Sequence, residues 1–526
     1  MQKLLIVAMT IIVLVAASTA SYAWFGTYYG TALPAFPDWI PDNPFTDRSV
    51  YPPNPNDPTA GGNSVANFHD GDTYPGTDGY GASVPAPTSP FTYNMNVLQT
   101  YMTSPSCDAN GYIASLGTSP EVSAGARFRV KYVNNMTQFG NAILSIYTKG
   151  ASGISFAIAD KDYDNPPDHS MSDRYWYMLD QFSLDSAFRV LTPITTLPLK
   201  TDILPWDPTT AKTYQTDWAY HEVWLYSNST YGIAAAYFDG QVVWRGVLTD
   251  MKNSTDGMVE FGSSSTVQFN PGKGHQNKVN FDWVQVASGA AGPVTVPALC
   301  ENIDAVKRAV DGAPVNLPNY VVSAAYLATD VDGSQIYDSF AVEAKNDRTN
   351  GIRVISPIYV NPGDVVTVRG GTAMVDGERV ILPSAVDVMS PPVNPPKPLA
   401  MNNLASGGGA CGAQGAVANN AAAPATMSAG LNNIGLYSTI FGTVTAVHGG
   451  PYSESFTDDY FYVDDGCGLQ DGTGNTGIRC RAPSVWWLYS LMPGQGQHIA
   501  VRGTMGVRAV NGVNTRLFWT WDWNAF

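Results

Sequence analysis

Chemistry at a protein surface needs carboxylates, thiols or ring faces brought together, and this chain offers each in a scattered form. Its seven glutamates are Glu121, Glu222, Glu260, Glu301, Glu343, Glu378 and Glu454, and no two are near neighbours in sequence. Retaining cleavage of a glycosidic bond uses two carboxyl groups ~5 Å apart facing one groove, and no strand-like segment here supplies such a pair. An aspartate pair built from distant loops stays open, because convergent sites are set by geometry and not by spacing. The densest acidic run is Asp160, Asp162 and Asp164, with Asp168 beyond. Alternate carboxylates of this kind can converge on a hard cation, which makes calcium the one cofactor candidate. An EF-hand loop also needs Gly at its sixth place and Glu at its twelfth, where this chain has Asn165 and Met171. A solvated acidic turn capped by Pro166-Pro167 is the alternative.

Aromatic rings are the other candidate ligands. Tyr175, Trp176, Tyr177, Trp206, Trp486 and Trp487 lie in or beside loop-like segments, where flat rings can stack on the apolar faces of sugars. Trp224, Trp244 and Trp283 fall inside strand-like segments and belong to a core. Five cysteines, Cys107, Cys300, Cys411, Cys467 and Cys480, cannot all pair. Cys467 and Cys480 share one hairpin-like segment and are the disulfide candidate in an oxidising compartment. No CxxC or Cys/His cluster points to zinc, and there is no phosphate-binding glycine loop, dinucleotide fingerprint, serine elbow or HExxH.

The elements that must position these residues are strands and turns. Fifty glycines and 37 prolines accompany only 14% charged residues, a composition that favours an all-β chain. Residues 1–23 carry Lys3, an apolar run and small residues ending at Ala23, the pattern of a secretory signal peptide. No later stretch is apolar for the ~20 residues a helical span needs, so no membrane span is expected in the mature chain. That chain has 27 basic residues against 44 acidic ones, a net charge of −17. Such a field opposes nucleic-acid binding, which depends on a basic surface.

Residues 24–93 are loop-rich, and the segments ARFRVKYV, AILSIYT, ISFAIAD, HEVWLYS, YGIAAAYFDG and KVNFDWVQV then read as short strands of a sandwich closing by residue 292. An internal repeat follows. Gly351-Ile352-Arg353, Val368-Arg369-Gly370 and Asp376-Gly377 recur in order as Gly477-Ile478-Arg479, Val501-Arg502-Gly503 and Asn511-Gly512. Asp-Gly and Asn-Gly predict hairpin turns, and each Arg-Gly predicts a bulge or sharp bend at a barrel corner. The modules span 300–390 and 431–526, separated at 391–430 by a Pro/Gly/Ala-rich linker that is expected to be stiff and extended at its start and mobile afterwards.

The first domain resembles the concanavalin-like lectin/glucanase jelly rolls, through Trp218, His221-Glu222-Val223, Asp239-Gly240, Phe261-Gly262 and Asp282-Trp283 taken in order. The two modules resemble five-stranded OB-fold modules of secreted bacterial proteins, where a Gly-Ile-Arg-Val strand precedes a Gly-Asp-x-Val-x-Val-x-Gly strand. The first copy matches at Gly351 to Val354 and Gly363 to Gly370, while the second has Gln497 in place of the Asp and an inserted SVWWLYS. The resemblance implies a jelly-roll β-sandwich followed by two small OB-like β-barrels. Catalytic concanavalin-like enzymes carry a Glu-x-Asp-x-x-Glu strand, which is absent here. OB-like barrels can bind single-stranded nucleic acid, for which Phe461, Tyr462, Arg479, Arg481 and Arg502 are suitable residue types. The expected function is a secreted, non-catalytic carbohydrate-binding or structural protein of the cell envelope, with a polysaccharide or envelope glycan as partner. Its alternatives are a polysaccharide hydrolase with a loop-built Asp site and a self-associating surface-layer protein. Oligomeric state is not legible in the sequence.

Overall fold

The protein is described by a computed structural model. Residues 1–23, 30–39, 42–63, 70–96, 103–109, 134–139, 148–153, 161–173, 181–188, 199–201, 204–213, 249–256, 266–276, 330–334, 450–458 and 483–491, with the single positions 118, 346, 390 and 423, lie outside the description. The expected signal peptide falls in the first of these stretches. The chain is all-β and forms two compact units, the first ending at Thr295 and the second made of Val296–Phe526 with the short segments Thr230–Ile233 and Arg245–Thr249.

The first unit is a sandwich of a nine-stranded and a seven-stranded sheet. The long strands Glu121–Val133, Tyr214–Asn228 and Asn277–Ser288 form the centre of the larger sheet, and Gly140–Tyr147, Ile154–Asp160 and Gly257–Ser265 that of the smaller. Alternation puts every second side chain between the sheets. Phe128 thus meets Phe156 of the opposite sheet at 6.1 Å, and Phe261 meets Phe281 edge-on at 5.0 Å. All four rings are essentially without solvent contact, and each contributes ~2–3 kcal/mol of apolar burial. Trp224 is core as expected, lying over Gly125 and Gly292, where an added Cβ would come within 2.5 Å of the indole.

The second unit opens with one helical turn, α1 (Ile303–Arg308), capped by Asn302, whose side chain accepts from the Ala305 amide at 2.8 Å. Five strands follow, β1 (Pro314–Thr329), β2 (Gln335–Ala344), β3 (Asp347–Ile355), β4 (Val365–Val375) and β5 (Glu378–Met389), closed as a barrel in the order β1-β2-β3-β5-β4. Ile303 and Val306 of α1 join Val315, Leu317, Phe340, Ile352 and Val368 in its core. The second copy uses β6 (Tyr437–His448), β7 (Tyr460–Asp464), β8 (Ile478–Arg481), β9 (His498–Val510) and β10 (Val513–Ala525) in the same order, and β6 also pairs with β9 to close the ring. In each copy the third and fifth strands are parallel.

The local signals of the repeat have the expected consequences. Asp376-Gly377 and Asn511-Gly512 have positive φ at both residues, as a tight hairpin requires. The ladder shifts register at Arg369/Gly370 and again at Arg502/Gly503. A Cβ on Gly370 would fall 2.3 Å from the Leu382 carbonyl oxygen, and one on Gly503 would meet that of Trp519, so only glycine fits either bulge.

The Gly/Ala/Asn-rich stretch before β6, expected to be mobile, is instead stitched to the barrels. Leu399–Ala400 pairs in parallel with Ser438 and Thr439 of β6. Gln414 is fully buried, its Oε1 accepting from the Arg379 amide at 2.6 Å and its Nε2 donating to Gly377 O at 3.0 Å. Arg516 of β10 donates to the carbonyls of Ser406, Ala418 and Leu404 and to Asn419 Oδ1. A stretch poor in apolar side chains is ordered here by its backbone carbonyls, which gather around a buried cation. Cys467 and Cys480 are not bonded: Cys480 points into the second barrel's core, whereas Cys467 sits on an exposed turn. Nearness in sequence does not make them neighbours in space, because the alternation of β8 turns the Cys480 side chain inward.

Candidate functional site

The two barrels meet through charged and aromatic groups that are almost entirely buried. Arg353 on β3 and Glu378 on β5 form a two-point ion pair, Nε to Oε1 at 3.1 Å and a second nitrogen to Oε2 at 3.2 Å. Trp519 of β10 donates its indole N–H to Glu378 Oε2 at 3.3 Å, with the Arg353 guanidinium 4.2 Å from its ring centre. Beside it, Glu343 accepts from the Tyr437 amide at 2.8 Å and from Arg348 at 3.1 Å, and Tyr326 pairs with Thr504 at 2.7 Å. Burial pushes the Glu343 carboxyl upward, opposed by the hydrogen bond from the Tyr437 amide and by Arg348. Two of the seven glutamates are thereby committed to joining barrels.

Two more glutamates are structural in the sandwich. Tyr226 donates to Glu121 at 2.7 Å, and the Trp224 indole donates to Glu222. His221 and Asp239, which carry the lectin-like resemblance, meet at 2.8 Å, while the second Asp239 oxygen accepts the Glu222 amide at 2.8 Å. The aspartate thus ties its own Asp-Gly turn to the neighbouring strand.

The most ligand-like surface among the described residues is the outer face of β6, β7 and β8. Alternation along β7 sends Phe461 and Val463 into the core and Tyr460 and Tyr462 to the opposite face, where Tyr460 is half-buried and Tyr462 is fully covered. Across the ladder, β6 brings His448 opposite Tyr460, and β8 brings Arg479 opposite Tyr462 and Arg481 opposite Tyr460. The result is a stack: the His448 and Tyr460 rings are nearly coplanar in orientation (3°) at 4.5 Å, and the Arg479 guanidinium lies 3.5 Å from the Tyr460 centre. His448 is exposed and Arg479 buried, so the stack rises from the barrel wall to solvent. Arg481 continues the row to Trp519 at 4.7 Å and to Asp338 at 3.8 Å. Tyr462 donates to Asp471 at 2.5 Å, and burial together with that carboxylate pushes its phenol up to about 12. It is a fixed neutral donor under ordinary conditions.

Asp464, Asp465 and Cys467 form the tightest group of metal-type ligands among the described residues, their ligand atoms lying within 4.8 Å of one another. Burial alone would raise the Asp465 carboxyl, but hydrogen bonds from the Cys467 thiol and from the Asn403 and Cys467 amides hold it below the usual range. Desolvation of the sulfur, with Asp465 and Asp464 beside it, pushes the Cys467 thiol up to about 11. These oxygens already serve the turn.

Of the residues singled out in the sequence, Tyr175, Trp176 and Tyr177 lie on the strand Arg174–Asp180 and Asp160 ends Ile154–Asp160, but their side chains are outside the description. Trp206, Trp486, Trp487, Asp162, Asp164 and Asp168 lie outside the described residues. Sequence reading noted Tyr462, Arg479 and Arg481 but missed His448 and Tyr460. The alternation Tyr460-Phe461-Tyr462-Val463, with both tyrosines on one face, is the signal that could have found them.

No known family profile matches the chain, and no curated protein does. Among solved structures, domain 4 of an extracellular arabinanase from Geobacillus stearothermophilus, in complex with arabinotriose, is similar at 9% identity, covering 44% of this chain and 78% of that one with a TM-score of 0.21. Botulinum neurotoxin type C, whose cell entry depends on interaction with two ganglioside molecules, is similar at 8% identity, covering 88% and 87% with a TM-score of 0.22. A functionally unknown protein from Saccharomyces cerevisiae gives 10% identity over 43% and 97%, with a TM-score of 0.20. At these scores the likenesses carry no argument about what this chain binds.

Proposed function

We propose that this chain is a non-catalytic, carbohydrate-binding protein working outside the cytoplasm, with a concanavalin-like sandwich and two OB-type barrels, and that the second barrel holds a glycan on the face of β6 to β8. The observation that carries this reading is the His448–Tyr460–Arg479 stack, in which the exposed His448 ring on the first strand is supported by Tyr460 and Arg479 on the second and third. That is the face on which five-stranded barrels of this strand order take oligosaccharides and oligonucleotides. The sequence's acidic balance, −16 over the full chain, favours the uncharged of these two ligand classes. Use of Glu121, Glu222, Glu343 and Glu378 as internal hydrogen-bond acceptors supports a binding role over hydrolysis. Secretion rests on the pattern of residues 1–23.

The test is a glycan-array and polysaccharide pull-down with the mature chain, with and without calcium, alongside Tyr460→Ala and His448→Ala. Loss of a stacked ring should weaken binding about tenfold, equivalent to ~1.4 kcal/mol, with no reducing ends released. Binding untouched by both variants would remove the site, and sugar release would replace the reading by hydrolysis.

A further inference from the structure

Lys307, in the last turn of α1, is a fully buried lysine whose amine has only long contacts: Asn350 Oδ1 and Asn432 O, each at 3.4 Å. Asn350 belongs to β3, and Glu378 opens β5. These strands run parallel with Arg353 opposite Val380, and continuing that register puts Asn350 level with Gly377, one residue from Glu378. A buried amine and a carboxamide therefore meet where α1 covers one end of the first barrel, with the Glu378 carboxylate, itself bound to Arg353, acting on the amine only electrostatically. Gly351 holds the asparagine in place, since its α-carbon faces the Gly435 carbonyl too closely for any side chain.

We propose that Lys307 and Asn350 join in an intramolecular isopeptide bond that ties α1 to β3. The chemistry needs no oxidant. The uncharged Lys307 amine attacks the side-chain carbonyl carbon of Asn350, forming a nitrogen–carbon bond, and the tetrahedral intermediate collapses by breaking the bond to the amide nitrogen. That nitrogen leaves as ammonia, carrying the proton that the attacking amine gives up within the tetrahedral intermediate. Burial pulls Lys307 down to about 8, with Cys411, Asp304 and Glu378 opposing, so roughly a tenth of the amine is uncharged near neutrality. The amine nitrogen is held 3.4 Å from the amide oxygen, so a small side-chain adjustment brings it onto the neighbouring carbonyl carbon and no second-order encounter is needed. Exclusion of water from the amine protects the product from hydrolysis.

The experiment is the intact mass of the full-length secreted chain after denaturation, followed by peptide mapping. The expected mass is lower than that of the sequence by one ammonia, with a branched peptide joining the Lys307 and Asn350 segments. Lys307→Met and Asn350→Ala should each restore the full mass. Asn350 is only half-buried, so the second variant keeps the test valid if the first fails to fold. A wild-type chain of full mass overturns the proposal. So does a linear peptide that has lost ammonia, because Asn350-Gly351 could instead close to a succinimide of equal mass.

Discussion

Replacing Arg516 by methionine should loosen the whole stretch from Leu399 to Ile434. Arg516 is 4% exposed, and burial lowers its pKa to about 10, still far enough above neutrality for the cation to persist. Of its acceptors, the carbonyls of Ser406 and Ala418 are on buried residues, whereas Leu404 is about half exposed and can be rehydrated. Each buried acceptor left without a donor costs ~1–3 kcal/mol, giving ~2–6 kcal/mol for the two. Relief from burying a cation without a carboxylate partner offsets part of this, so the expected loss is ~2–4 kcal/mol. Methionine retains much of the side-chain volume, which keeps a cavity from inflating the figure. The assay is urea unfolding followed by tryptophan fluorescence, paired with limited proteolysis, where new cleavage should appear between residues 401 and 430. An unfolding free energy within ~0.5 kcal/mol of wild type, with an unchanged cleavage pattern, would refute the idea that this arginine organises the stretch.

Asn350→Ala leaves Lys307 as a free amine, and its stability should rise with pH between about 8 and about 10. The folded amine releases its proton near 8 whereas the unfolded one holds it to about 10.5, so the unfolded state binds more protons across that window and deprotonation favours folding, by up to ~3 kcal/mol. Urea midpoints at the two ends of the window check this, and a flat or falling profile contradicts it; the cross-linked wild type lacks this contribution. Glu378→Ala should destabilise the second unit by ~3–5 kcal/mol, because Arg353 is left buried without its carboxylate, while the first unit unfolds as before. Gly125→Ala forces a Cβ to within 2.5 Å of the Trp224 indole and should cost the sandwich ~1–3 kcal/mol, read as a shifted thermal midpoint. Native alkylation should modify Cys467 well before Cys480, with Cys480 reacting only on unfolding, since one is exposed and the other fully buried.

Much of the architecture is local and so can be read along the chain. Composition and period-two alternation determine an all-β protein. The Asp376-Gly377 and Asn511-Gly512 turns and the Arg369-Gly370 and Arg502-Gly503 bulges follow from backbone conformations that few residues other than glycine adopt. What faces what across long sequence distances belongs to tertiary structure alone. Strand register decides that Tyr460 lies between His448 and Arg479, and that Cys480 points inward, away from Cys467. Closure of the first barrel gives Glu378 its partner Arg353, 25 residues away, and docking of the second barrel gives it Trp519, 141 residues away. The glycine-rich stretch looks mobile because its ordering groups are main-chain carbonyls, common to every residue type, and only the fold brings the Arg516 cation among them.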